Sequence, residues 1–152
     1  MFLKTATSVF FFLTLSAPLA SQEREWSLDV TDEEAFLVFG TPNTEDIGVS
    51  FWCKLGSGKV KVYAPRLKLS AAADKSETIE LTISGKTYVL KPVVDSNDDA
   101  SKPALEAEID APNPALSDLQ TAAHFGLASG GHHAHFPLFD ANFAALVRAC
   151  RK

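Results

Sequence analysis

The chain has 152 residues with 19 acidic and 14 basic side chains, a formal net charge of −5 at neutral pH. A mildly acidic surface excludes nucleic acid and an anionic membrane face as the main partner, because both reward clustered Lys and Arg. The two cysteines, Cys53 and Cys150, lie far apart without a CxxC spacing, which excludes a zinc-ribbon or thioredoxin-type site.

The first residues carry one positive charge, Lys4, then the apolar run Val9-Phe10-Phe11-Phe12-Leu13-Thr14-Leu15 and small residues around Ala17-Pro18-Leu19-Ala20. Charge, short apolar stretch and small-residue exit make up a secretory signal peptide, here residues 1–20, with cleavage expected after Ala20. The apolar run is well short of the ~20 residues that a spanning helix needs. Residues 21–152 are expected to form a single β-rich domain, large enough to bury a core.

Period-two alternation then dominates as far as Asp110, which is the signal of half-buried strands. Trp26, Leu28 and Val30 alternate with Ser27 and Asp29. After Thr31-Asp32-Glu33-Glu34, the run Ala35-Phe36-Leu37-Val38-Phe39 is apolar on both faces and reads as a fully covered strand. Next, Val49, Phe51, Cys53 and Leu55 share one face while Ser50, Trp52 and Lys54 share the other. Gly56-Ser57-Gly58 turns the chain into a partner strand with Val60 and Val62 inward and Lys59 and Lys61 outward. Trp52 and Tyr63 thus project among lysines. Either a second layer of sheet covers Trp52, the expected arrangement, or the aromatics form a recognition patch for protein or glycan.

A clear hairpin follows between Ile79 and Lys91. With Gly85-Lys86 as its turn, Ser84 faces Thr87, Ile83 faces Tyr88, Leu81 faces Leu90 and Glu80 faces Lys91, so that apolar and polar pairs sort to opposite faces. Asp95, Asn97, Asp99 and Glu106 fall at calcium-loop positions, but Ala100 stands where the sharp turn needs glycine, and a solvated acidic loop is expected instead. Leu105-Glu106-Ala107-Glu108-Ile109-Asp110 alternates as a further strand. Asn113-Pro114 is a cap and first-turn pair for a helix with the stripe Leu116, Leu119 and Ala123.

All four histidines follow. If Gly130-Gly131 is a two-residue hairpin turn, Phe125, Leu127, Ala134, Phe136 and Leu138 collect on one face and His124, His133 and His135 on the other. Three imidazoles on one surface are a candidate zinc or copper site, against the plainer reading of polar residues on a wet face without a carboxylate to orient them. The chain ends on a helix expected over residues 141–151 and capped by Asp140, with Phe143, Leu146, Val147 and Cys150 on one stripe. Cys53 and Cys150 therefore both face the layer where helix meets sheet. A disulfide between them is the expectation for an exported chain, the alternative being two buried thiols.

No nucleophile elbow of the GxSxG kind occurs. Gly56-Ser57-Gly58 and Ser129-Gly130-Gly131 are turn glycines, and Cys150 lies too deep in its stripe to attack a substrate. The chain is not expected to be an enzyme or to carry a cofactor. One cysteine in an early strand, Phe51-Trp52-Cys53-Lys54, and a closing cysteine on a short terminal helix, Phe143-Ala144-Ala145-Leu146-Val147-Arg148-Ala149-Cys150, resemble the layout of small exported proteobacterial proteins of unknown function. Related layouts occur in accessory periplasmic proteins of secretion systems. The resemblance implies a periplasmic address and no activity.

The fold expected is α+β: a mainly antiparallel sheet system or sandwich, one mid-to-late helix, and a C-terminal helix packed on the sheet. The leading functional expectation is a non-enzymatic periplasmic or secreted binding or accessory protein that recognises a protein or envelope component. The alternative is a periplasmic zinc or copper protein using His124, His133 and His135.

Overall fold

The computed structural model describes residues 23–68, 78–93 and 104–151. The proposed signal peptide and the Asp95–Asp99 loop lie outside the described residues. The strands are β1 (Glu25–Val30), β2 (Glu34–Gly40), β3 (Ile47–Lys54), β4 (Lys59–Lys68), β5 (Ile79–Ile83), β6 (Lys86–Leu90), β7 (Ala104–Asp110), β8 (His124–Ser129) and β9 (His132–Pro137). Helix α1 (Pro114–Leu119) precedes β8, and α2 (Phe143–Cys150) follows β9. The larger sheet has the order β1-β2-β3-β4-β7 and the smaller one β6-β5-β8-β9, with antiparallel pairing throughout. The α+β, mainly antiparallel architecture matches the sequence pattern.

Alternation decides what each sheet buries. Register places Ala35 opposite Cys53, Leu37 opposite Phe51, Phe51 opposite Val62, and Val62 opposite Ala107, so one face of the larger sheet is a continuous apolar surface. Ile79, Leu81, Ile83, Phe125, Leu127 and Phe136 do the same for the smaller sheet, and both faces belong to one buried core. Phe51 is the joint: its ring meets Phe125 of the smaller sheet at 5.6 Å and Phe143 of α2 at 4.7 Å, both edge-on. At the rim, Trp26 Nε1 donates to the Pro137 carbonyl at 2.7 Å, tying β1 to the end of β9.

The strand residues 35–39 are covered on one face only. Ala35 and Leu37 are fully buried, whereas Phe36 and Val38 are half-buried on the face away from the core. Two irregularities have chemical causes. Pro65 has no N–H to give a ladder, and the β4–β7 register shifts between Ala64 and Lys68. At Gly40 the β2–β3 register also shifts, and an added Cβ would lie 2.6 Å from the Asp46 carbonyl oxygen, so only glycine fits.

The β5–β6 hairpin turns on Ser84-Gly85 rather than Gly85-Lys86, with Leu81 opposite Tyr88 and Ile83 opposite Lys86. Both turn residues have positive φ, 49° and 81°, as a mirror-image two-residue turn requires. The slip is an even number of residues, which leaves every side chain on its expected face; facing pattern alone does not distinguish the two registers. The β8–β9 hairpin turns on Gly130-Gly131 in the expected register.

Each helix starts after an asparagine, but only Asn113 caps with its side chain. The Asn113 side chain accepts from the Ala115 N–H at 2.9 Å, as the Asn-Pro pair indicates. Helix α1 ends before Ala123, whose carbonyl instead accepts from the Leu138 N–H at 2.8 Å. Asp140 is not the cap of α2: it takes a positive φ of 59° in the turn after β9, and the helix begins later, with Asn142 at the boundary.

Helix α2 lies against β2, β3 and β4 and buries Phe143, Leu146, Val147 and Cys150. Cys150 is bonded to Cys53 with a Cα–Cα distance of 5.7 Å. The turn after β3 completes the attachment. Gly56 N–H donates to the Ala149 carbonyl at 3.1 Å and Gly58 N–H to the Cys150 carbonyl at 2.8 Å, satisfying carbonyls that the end of a helix leaves open. The disulfide indicates an oxidising compartment outside the cytoplasm. Among the described residues no helix is long and apolar enough to cross a membrane.

Candidate functional site

The outer face of the smaller sheet carries the histidines. Register aligns Val89, Glu80, Ala128 and His133 in one row across β6, β5, β8 and β9, and Thr87, Thr82, Gly126 and His135 in the next. His124, opposite Pro137, begins the row beyond. All three expected imidazoles therefore lie on one exposed face. The structure brings two of them together: the rings of His133 and His135 stand 6.1 Å apart, edge to face. Among the described residues no three His, Cys, Asp or Glu side chains are gathered as a metal-ion ligand set.

Between the β5 residues and the β9 imidazoles the face is nearly bare, because β8 contributes only Gly126 and Ala128 there. A Cβ on Gly126 would sit 3.2 Å from Nδ1 and Cε1 of His135, so the ring lies over the glycine. Glu80, Ala128, His132 and His133 line an open depression of about 350 Å³ beside this trough. The Glu80–His133 alignment depends on β5 pairing with β8, a contact between strands not consecutive in sequence. The sequence pattern of the β8–β9 hairpin contains no sign of it.

The outer face of the larger sheet is different. Trp52 lies there and is half-buried, but not under a second layer: the smaller sheet packs on the opposite face, where Phe51 meets Phe125. What covers Trp52 is local. Phe36 stacks on it at 6.1 Å with the planes 17° apart, and Lys61 Nζ stands 4.7 Å above the ring. Two ion pairs run along the same face, Lys59 with Glu108 and Lys61 with Glu106, the latter at 3.3 Å. The hydrogen bond from Lys59 to Glu108 raises the lysine pKa above its ordinary value. Glu106, the candidate twelfth residue of a calcium loop, is thus engaged by a lysine. A depression of about 170 Å³ opens beside Trp52, lined by Lys54, Ser57, Lys59 and Lys61.

Two polar hubs were not visible in the sequence because their members are distant along the chain. Asp46 accepts from Arg24 Nε and Nη2 at 3.0 and 2.9 Å, from Thr41 Oγ1 at 3.0 Å, and from Arg66. The Arg24 hydrogen bonds, with those of Thr41 and Arg66, hold its carboxyl at a pKa of about 2. Asp118 of α1 accepts from Tyr88 Oη at 2.5 Å and from Lys86 Nζ at 2.9 Å, and these bonds lower its pKa. Both hubs fasten the fold: one holds the start of β1 to the β2–β3 connection, the other the edge strand β6 to α1.

No protein-family model matches the chain, and comparisons with curated proteins and with solved structures return no match.

Proposed function

We propose that this is a periplasmic or secreted, non-enzymatic binding or accessory protein that recognises a protein or envelope component through the outer face of the larger sheet. The observation that carries the reading is the Phe36–Trp52 stack under Lys61, an aromatic step on a face that no other element of the described fold covers. Aromatic side chains bring large contact area at small entropic cost, which is why they anchor interfaces. The surrounding Lys–Glu pairs keep the rest of the face polar, as the rim of a recognition patch is. The signal-like leader and the disulfide support an exported address.

Affinity capture from periplasmic and envelope extract, with immobilised wild type beside Trp52→Ala, tests the reading. A component retained by the wild type and lost from the variant is the expected result, with unchanged far-ultraviolet circular dichroism. Equal retention by both proteins overturns the assignment of this face.

A further inference from the structure

The imidazoles of the smaller sheet carry an inference independent of the Trp52 face. We propose that His133 and His135 chelate a divalent first-row transition metal such as copper or zinc, with Glu80 supplying a carboxylate from across the Gly126–Ala128 trough. Residues two apart on a strand point to the same side, so this pair is preset by the backbone rather than by rotamer choice. The distance is within reach of a chelate. An imidazole nitrogen binds zinc at ~2.1 Å, which places the ring centre ~3.2 Å from the ion, so two rings at a tetrahedral angle have centres ~5.2 Å apart. From the observed 6.1 Å, closing the chelate takes an approach of ~1 Å by two exposed rings.

Strand β8 has no bulk there: the His135 ring lies over Gly126, where a Cβ would crowd it, and Ala128 stands between His133 and Glu80. Glu80 stands two strand spacings from His133, roughly 10 Å at the backbone, and both line the same depression. Since among the described residues no third ligand is already in place, the carboxylate joins by turning over Ala128, and water fills the remaining positions. Two imidazoles with a carboxylate and water suit copper(II) and zinc rather than calcium or magnesium, which take oxygen ligands. His124 is not part of the site, because its row lies beyond His135 on the side away from His133 and Glu80.

The test is calorimetric titration of the tag-free chain with Cu²⁺ and with Zn²⁺, beside His133→Ala, His135→Ala, His124→Ala and Glu80→Gln. All four positions are exposed, and melting in chelator verifies that each variant is folded. His133→Ala and His135→Ala are each expected to weaken binding by ~10-fold or more, since loss of even an outer partner of a metal site costs that much. Glu80→Gln is expected to weaken it less and His124→Ala to leave it unchanged. Wild-type affinity in either His133→Ala or His135→Ala overturns the chelate. An equal loss in His124→Ala overturns the assignment to this pair, and an unchanged Glu80→Gln removes the carboxylate.

Discussion

The outer faces of the two sheets arise from the same alternation yet end in opposite conditions. On the larger sheet, long side chains satisfy one another: Lys59 and Lys61 meet Glu108 and Glu106, and Trp52 rests between Phe36 and the Lys61 ammonium. On the smaller sheet the central strand offers only Gly126 and Ala128, so His133, His135 and Glu80 rim a shallow trough, with the His135 ring lying over Gly126. Stability therefore resides beneath both faces, in the shared core, while the two exteriors are open to separate uses.

Breaking the core should cost far more than altering either exterior. The largest effect is expected from removing the disulfide by the double substitution Cys53→Ser with Cys150→Ser. The bond closes a separation of 97 residues, for which chain entropy alone gives about 4–5 kcal/mol. Urea unfolding monitored by tryptophan fluorescence measures it. Phe51→Ala comes next, at about 3–5 kcal/mol, because a buried ring contacting both Phe125 and Phe143 is lost. Its neighbour Trp52→Ala, on the opposite side of the same strand, is expected to cost only about 1 kcal/mol, the scale of an exposed cation–π contact and partial stacking. Near-equal losses at these adjacent positions would erase the distinction between core and exterior.

The smallest effect is electrostatic. Asp46 titrates at about 2 in the fold, below the ordinary aspartate value of 3.8. A depressed folded pKa means that the stabilisation is fully present above ~4, the range of the unfolded aspartate, and is lost as the pH falls through about 2. Acid unfolding of wild type and Asp46→Asn should therefore diverge above pH ~4 and converge toward pH 2. A constant offset between the two curves across that range would show that Asp46 contributes through packing alone.

What could be read from the sequence follows the range of the interactions. The β8–β9 register was legible because Gly130-Gly131 permits one two-residue turn and flanking residues sort cleanly around it. The disulfide was legible because strand and helix periodicity each aim one sulfur at the core. The β5–β6 turn was displaced because a shift that preserves facing leaves the hydrophobic pattern untouched, and the pattern does not weigh Ser84 in a left-handed conformation. Asp140 looked like a cap by residue type, yet its own positive φ turns the chain before the helix starts. The covering of Trp52 by Phe36 and Lys61 rather than by a second sheet and the Glu80–His133 alignment both depend on which strands become neighbours across the fold, and short-range alternation carries no information on that.

The bond between β3 and α2 also sets an order of events. Chains are synthesised from the N-terminus at ~5–20 residues per second, so Cys53 precedes its partner, 97 residues later, by roughly 5–20 s. During that interval it is a thiol with no mate within its own molecule, because the sequence holds two cysteines only. Two cysteines allow no scrambled intramolecular isomer, so the errors open to early oxidation are intermolecular or at Cys53 alone: a Cys53-linked dimer, a mixed disulfide or a sulfenic acid. Such errors depend on timing and concentration rather than on disulfide isomerisation.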